Sequence, residues 1–320
     1  MRIDHPIFTD ADKAREYLEA QRWPNGPVCP HCGNTDSAKI TAMKGKAHRK
    51  GLYNCKECRE QFSVTVGSVF EHSKIALNRW MFATYLLTSS KKGMSAHQLH
   101  RMLGVTYKTA WFMAHRIREA MKADVKIDGP LGGEGKTVEA DETYLGKRED
   151  QTMPAYREGK PYQSKKRATH KMTVVALVER GGSVRSFVVE SATVESVRKI
   201  LFTNADRKST LYTDESRLYS ETGKSFADHD TVHHSSGEYA RGIVHTNTIE
   251  NTFSVFKRGM LGVYHFCGEK HLHRYLAEFD FRFNRRSAVG VEDTQRHQEV
   301  LAAIGGKRLT YRRIGQAAHA

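Results

Sequence analysis

Long apolar runs are missing from this sequence. No stretch approaches the roughly 20 residues that a membrane-spanning helix needs. The opening Met1-Arg-Ile-Asp-His-Pro6 also lacks the apolar core of a secretory signal. A soluble, cytoplasmic protein, associated with the nucleoid when DNA-bound, is the expectation. Cysteine is scarce as well: five residues without an export signal do not make a disulfide framework. Acid is the third shortage, with 36 Asp and Glu against 51 Lys and Arg, a formal charge of +15 and a pI near 9.6. That balance favours polyanionic partners, nucleic acid above all. The 320 residues, 39% hydrophobic and 27% charged, suit one large core domain with one or two small ones.

The few cysteines that are present are grouped. Cys29-Pro-His-Cys32 and, after 22 intervening residues, Cys55-Lys-Glu-Cys58 form two Cys-x2-Cys knuckles, with Gly33 available for the tight turn after the first. This pattern places four thiolates tetrahedrally around one structural Zn²⁺. A ribbon of this size needs the metal to hold together. His31 is surplus to a filled coordination shell, and Cys267 stands alone downstream. Between the knuckles, Lys39, Lys44, Lys46, His48, Arg49 and Lys50 give the ribbon a basic edge suited to DNA backbone contacts, with a solvated face without a partner as the competing reading. Ahead of the ribbon, residues 10–22 read as a short helix, with Thr9 as its cap and Pro24 closing it.

From Asn78 to Lys122 the pattern is helical, broken at Gly93. Ser95 to Leu103, a turn at Gly104, and a second helix begun by a capping Thr106 make a helix-turn-helix pattern. Ala110, Met113, Ala114 and Ile117 would face inward. Tyr107, Lys108 and Thr109, with Trp111 beside them, lie near the amino end, where base-edge contacts are made. A plain helical hairpin is the competing reading of this segment. Asp124 to Lys136, with Gly129-Pro130 and Gly132-Gly133, reads as a linker.

The core begins with a strand from Thr137 to Leu145 that carries Asp141 among apolar neighbours. A carboxylate there is costly unless it is paired, hydrogen-bonded or metal-bound. A basic loop follows, with eight Lys or Arg against three acids between Lys147 and Lys171. Met172–Val178 and Val184–Val189 around Gly181-Gly182 predict an antiparallel hairpin. Val194, Val197, Ile200 and Leu201 predict a helix, and Thr210-Leu-Tyr-Thr-Asp214 a buried strand ending in a second acid. Three antiparallel strands, a crossover helix and a parallel strand give the order of a ribonuclease-H-like fold. Between His245 and Val263, Ile249, Phe253, Phe256 and Met260 define an apolar helix face. Asn247, Glu250, Ser254 and Lys257 form its polar stripe. At about 100° per residue, Glu250 and Lys257 share one narrow sector beside the apolar edge.

With these residues in view, the chain resembles bacterial insertion-sequence transposases related to the Merlin transposons. The resemblance covers nearly its whole length. It rests on the Cys-x2-Cys pairs ahead of Gln61-Phe-Ser-Val-Thr-Val-Gly-Ser-Val69, on Val138-Glu-Ala-Asp-Glu-Thr-Tyr-Leu-Gly146, on Tyr212-Thr-Asp-Glu215, and on His245-Thr-Asn-Thr-Ile-Glu-Asn-Thr-Phe-Ser-Val-Phe-Lys-Arg258. It implies a ribonuclease-H-like catalytic core in an α+β or α/β arrangement, with an Asp-Asp-Glu triad on Asp141, Asp214 and Glu250. Relatives with asparagine in the third place make Asn247 the competing third residue. Two Mg²⁺ or Mn²⁺ ions about 4 Å apart, bridged by Asp141, would serve cleavage and strand transfer. Lys257 and Arg258 would contact the double-stranded DNA of element ends and target. Pairing two ends implies a homodimer or larger complex.

The expected organisation is a helix at 1–27, the zinc ribbon at 28–72, the helix-turn-helix segment at 73–123, a linker at 124–135, the catalytic domain at 136–290 and a tail at 291–320. Glu139, Glu142 and Glu215 are acids adjacent to the triad that compete with it as ligands. The competing function is a sequence-specific DNA-binding regulator derived from an inactive transposase. Intact carboxylates count against it.

Overall fold

The structure, a computed structural model, describes residues 1–45, 47–123, 128–146 and 171–310. Most of the predicted basic loop, from Lys147 to His170, lies outside the described residues, as do Lys46 and part of the predicted linker. The chain divides into two compact units. One comprises Met1–Met121 with the chain from Gly290 on, and the other Lys122–Val289.

In the first unit, α1 (Pro6–Thr9) and α2 (Ala11–Arg22) precede a small antiparallel sheet of β1 (Ile40–Ala42), β2 (Tyr53–Cys55) and β3 (Gln61–Phe62). Thr9 does not cap α2. It ends α1, and the Asp10 carboxylate accepts the N–H groups of Asp12 and Lys13 instead. An acid at that place also opposes the positive end of the helix dipole. Stacking of Tyr53 on Phe62, with Trp23 edge-on to both, joins the sheet to the end of α2. Three helices follow: α3 (Leu77–Ser89), α4 (Ala96–Leu103) and α5 (Tyr107–Ala120).

The second unit is built on a five-stranded sheet. Its strands are β4 (Thr137–Leu145), β5 (Met172–Glu179), β6 (Val184–Val189), β7 (Thr210–Asp214) and β8 (Asp228–Val232), in the order β6-β5-β4-β7-β8. Only β5 runs against the others, since β4 pairs antiparallel with β5 and β5 with β6, while β4–β7 and β7–β8 are parallel. This is the ribonuclease-H-like topology, with β8 as a fifth, parallel edge strand beyond the four that the sequence predicts.

Two helices lie between the later strands: α6 (Val194–Asn204), begun by a Thr193/Ser196 capping box, and α7 (Arg217–Gly223). After β8 come a two-stranded ribbon, β9 (Ala240–Arg241) with β10 (Val244–His245), then α8 (Asn247–Gly259) and α9 (Glu269–Asn284). The sheet's two faces are covered separately. Val138, Ala140, Val175 and Leu177 pack with Val197 and Leu201 of α6 and Tyr219 of α7. On the other face, Val174, Ala176 and Val178 pack with Ile249, Phe253 and Phe256 of α8 and Leu272, Leu276 and Phe279 of α9.

The segment 291–320, expected as a tail, contains a helix, α10 (Asp293–Ala302), in the first unit. It packs against α2 and α3 and buries Val300 and Leu301, but also Arg296 and His297. Among the described residues, no helix is long and apolar enough to cross a membrane.

Candidate active site and zinc ribbon

Strand alternation sorts the acids of β4 onto opposite faces. Glu139 and Asp141 fall on the α8 face, whereas Glu142 follows Val138 and Ala140 onto the α6/α7 face. On β7, Leu211 packs on the α6/α7 face, so Tyr212 and Asp214 lie on the face that carries Asp141. The β4–β7 register pairs Thr137 with Thr210, Val138 with Leu211 and Glu139 with Tyr212. Two residues further at the same offset, Asp141 comes opposite Asp214, at the carboxyl end of β7. Adjacent strands lie about 4.8 Å apart, so the two carboxylates are neighbours beyond the end of the ladder.

Glu250 enters from the first turn of α8, on the same side. Ile249, Phe253, Phe256 and Met260 are buried as the periodicity predicts, which leaves Glu250 and Lys257 half-buried along one edge. The Glu250 Oε1 accepts the Thr246 hydroxyl at 2.8 Å and lies 3.4 Å from His234 Nε2. Asn247, the competing third residue, is exposed at the start of the helix.

Electrostatics mark the depth of the site. Burial pushes the Asp141 carboxyl up to about 8, helped by the negative charges of Asp214, Glu142 and Glu250. Asp214 is raised by burial too, against the opposing hydrogen bond from the Ser216 N–H and the nearby His234. A carboxylate crowded by other acids and shielded from water needs a neighbouring cation to be ionised at neutral pH. All-oxygen donors of this kind suit Mg²⁺ or Mn²⁺. Among the described residues, the three carboxylates do not close to the 4.8 Å spacing that the ribbon thiols reach.

The acids next to this trio are occupied elsewhere. Glu142 accepts the Tyr219 hydroxyl at 2.8 Å. Glu215 accepts the backbone N–H groups of His234 and Ser235 at 2.7 and 2.9 Å. Those hydrogen bonds, chiefly from Ser235, hold its carboxyl down at about 2. Glu139 is fully buried and binds the first turn of α8 and Arg180. Tyr219 and His234 had no signal in the sequence. Tyr219 reads there as a core aromatic, and His234 stands in a polar loop.

In the first unit, the sulfurs of Cys29, Cys32, Cys55 and Cys58 all lie within 4.8 Å of one another. The Cys29–Cys58 separation is 3.6 Å and Cys32–Cys55 3.7 Å. A tetrahedral Zn²⁺ with Zn–S bonds of about 2.3 Å requires sulfur separations of about 3.8 Å, so the four residues fit the ion. The Cys58 backbone N–H is the chief influence that draws the Cys55 thiol down to about 6. Cys267 is buried in the other unit, among α8 and α9 residues.

The two helices expected of this segment are present with the expected cap and turn. Gly104 sits at φ 61° after α4, and the Thr106 hydroxyl accepts the Thr109 N–H at the start of α5. Ala110, Met113, Ala114 and Ile117 are buried, whereas Tyr107 and Lys108 are exposed and Thr109 half-buried. The Tyr107 ring stacks on His97, with centroids 4.3 Å apart.

Comparison with known proteins gives concordant matches. Residues 130–284 match the family model described as the ISXO2-like transposase domain, and residues 9–61 match the transposase zinc-ribbon domain. A relative from Halobacterium salinarum, described as an uncharacterized protein in transposable element ISH50, is 32% identical over 286 residues, covering 86% of this chain and 91% of the relative. Solved structures of a Mos1 strand transfer complex and a pre-cleavage Mos1 transpososome match 69% of this chain and 80% of theirs. Their identity is 12% and their TM-score 0.23, too low to carry an argument. With a zinc-ribbon domain ahead of the matched catalytic domain, and a relative this similar over nearly its full length, the chain belongs to the ISXO2-like transposase family.

Proposed function

We propose that this transposase binds the terminal inverted repeats of an insertion sequence and catalyses divalent-metal-dependent DNA cleavage and strand transfer, with Asp141, Asp214 and Glu250 as the reacting site. One observation carries the reading. Asp141 and Asp214 share the sheet face that α8 covers, with Glu250 in the first turn of α8, while Glu139, Glu142 and Glu215 are each committed to hydrogen bonds within the protein. Asp141, Asp214 and Glu250 would hold Mg²⁺ or Mn²⁺. When bound, such ions supply Lewis acidity at phosphorus and an ionised oxygen nucleophile at neutral pH.

The remaining tasks belong to the chain. The rim where β7 ends receives the scissile phosphate, and in-line geometry admits water first and the freed 3′-hydroxyl second. Lys257, two turns beyond Glu250 on the same helix edge, neutralises a backbone phosphate, and the exposed Arg258 beside it a second. Tyr107, Lys108 and Thr109 at the start of α5 read base edges in the major groove. The cysteine cluster, loaded with one structural Zn²⁺, presents the basic ribbon edge to the DNA backbone. Two element ends joined in one reaction require two active sites, so the working complex is a homodimer or larger.

The test is nicking and joining of a duplex bearing an element end. Wild-type protein is expected to cut and join it only with Mg²⁺ or Mn²⁺, and Asp141→Ala to do neither. Tight, specific binding with no cleavage in either ion would establish a DNA-binding regulator instead. Hydrolysis without a joined product would establish a nuclease.

A further inference from the structure

The ion pair of buried Glu139 with half-buried Arg180 touches the elements that carry all three acids. Glu139 is fully buried on β4. Its Oε1 accepts Arg180 Nε at 2.7 Å and the Thr248 hydroxyl at 2.9 Å. Its Oε2 accepts the backbone N–H groups of Thr248 and Ile249 at 2.9 and 3.0 Å. Helix α8 has no side-chain cap at its own N-cap residue, Thr246. A carboxylate from a strand 109 residues earlier therefore satisfies its leading amides and meets the positive end of its dipole.

Arg180 completes the node. Its Nη1 donates to the Ile243 carbonyl at 2.7 Å and its Nη2 to the His245 carbonyl at 2.8 Å, which fixes the strand that feeds α8. Nη2 also lies 2.9 Å from His245 Nδ1. The guanidinium sits over the Tyr212 ring, 4.8 Å from its centroid, and Tyr212 is the register partner of Glu139. Three residues of the node stand two positions before an acid: Glu139 before Asp141, Tyr212 before Asp214, Thr248 before Glu250. On the two strands that spacing returns to the same face.

We propose that Glu139 and Arg180 are positioning residues that set the distance between the Glu250 helix and the two strand aspartates, and so the affinity of the site for divalent cations. The inference rests on the reading of Asp141, Asp214 and Glu250 as the metal-binding acids. An ion pair that merely stabilised the fold would alter melting but leave the metal affinity of the folded protein unchanged. A positioning pair alters both. Replacing groups that orient metal ligands lowers affinity by about 10- to 100-fold.

The experiment titrates Mn²⁺ against the full-length, zinc-loaded chain and follows free Mn²⁺ by electron paramagnetic resonance. Wild type is compared with Glu139→Gln, Arg180→Lys, Thr248→Val and Asp141→Ala, with circular dichroism verifying the fold. Folded Glu139→Gln and Arg180→Lys are expected to bind Mn²⁺ about tenfold more weakly or worse, and their cleavage in Mg²⁺ to fall further than in saturating Mn²⁺. Should both fail to fold, Thr248→Val decides. It removes one hydrogen bond and no charge, and its affinity is expected to shift in the same direction. Wild-type Mn²⁺ affinity in the folded variants overturns the proposal and leaves the active-site reading standing. Equal Mn²⁺ binding by wild type and Asp141→Ala overturns that reading, and the positioning role with it.

Discussion

Tyr219 donates its hydroxyl to Glu142 at 2.8 Å on the face of β4 turned away from Asp141. Adjacent carboxylates thus have opposite surroundings, one tied to a core phenol and the other facing Asp214. Tyr219→Phe would strip a half-buried carboxylate of its partner while preserving the ring's packing. A loss of about 1–3 kcal/mol in stability is expected, measured by urea unfolding, with DNA cleavage by the folded variant kept within a few-fold. A collapse of cleavage in the folded variant would place Glu142 in the reaction.

The ribbon should depend on metal for its fold. Cys55→Ser is expected to lose the single zinc equivalent and the ribbon's structure with it, whereas Cys267→Ala keeps its zinc. Zinc content by mass spectrometry of the native protein measures both. A Cys55→Ser protein with full zinc and unchanged melting would contradict the assignment.

Acid should weaken the first unit through His297. Burial among Phe8, Tyr17 and Tyr85 pushes its imidazole down to about 4 from an ordinary 6.5. The unfolded chain therefore takes up a proton before the folded one does. The contribution of this group is complete above pH 6.5 and is lost as pH falls towards about 4, an upper bound of about 3 kcal/mol. Melting followed from pH 7.5 to 4.5 should decline more steeply in wild type than in His297→Leu. Parallel declines would refute the role of this histidine.

DNA contacts by Lys257 should be electrostatic. Lys257→Ala is expected to weaken binding to specific and unrelated duplexes alike and to reduce the slope of log affinity against log salt by about 1. Tyr107→Ala or Lys108→Ala should narrow the gap between specific and unrelated DNA. An unchanged salt slope for Lys257→Ala would remove it from the interface.

How much of this could be read beforehand varied with the kind of signal. Strands β4 and β7 were legible because each sets an acid against an apolar run, and α8 because its buried face recurs at helical spacing. Strand β8, Asp228-His-Asp-Thr-Val232, was not legible: an edge strand held by backbone pairing to β7 needs no apolar alternation, and only Val232 is buried. Helix α10 hid for a related reason, since two of its four buried residues are Arg296 and His297. The Glu139 node was invisible because its members lie 41 and 109 residues apart in the chain. Glu139 reads there as one more acid on the same strand face as Asp141, and only its bonds to the α8 amides mark it as the helix cap.

The most direct measurement compares Asp141→Asn with Glu142→Gln in one divalent-ion-dependent cleavage assay, on protein verified as folded and zinc-loaded. Asp141→Asn is expected to lose at least about a hundredfold in cleavage, and Glu142→Gln to remain within about tenfold of wild type. Active Asp141→Asn beside inactive Glu142→Gln would contradict the account.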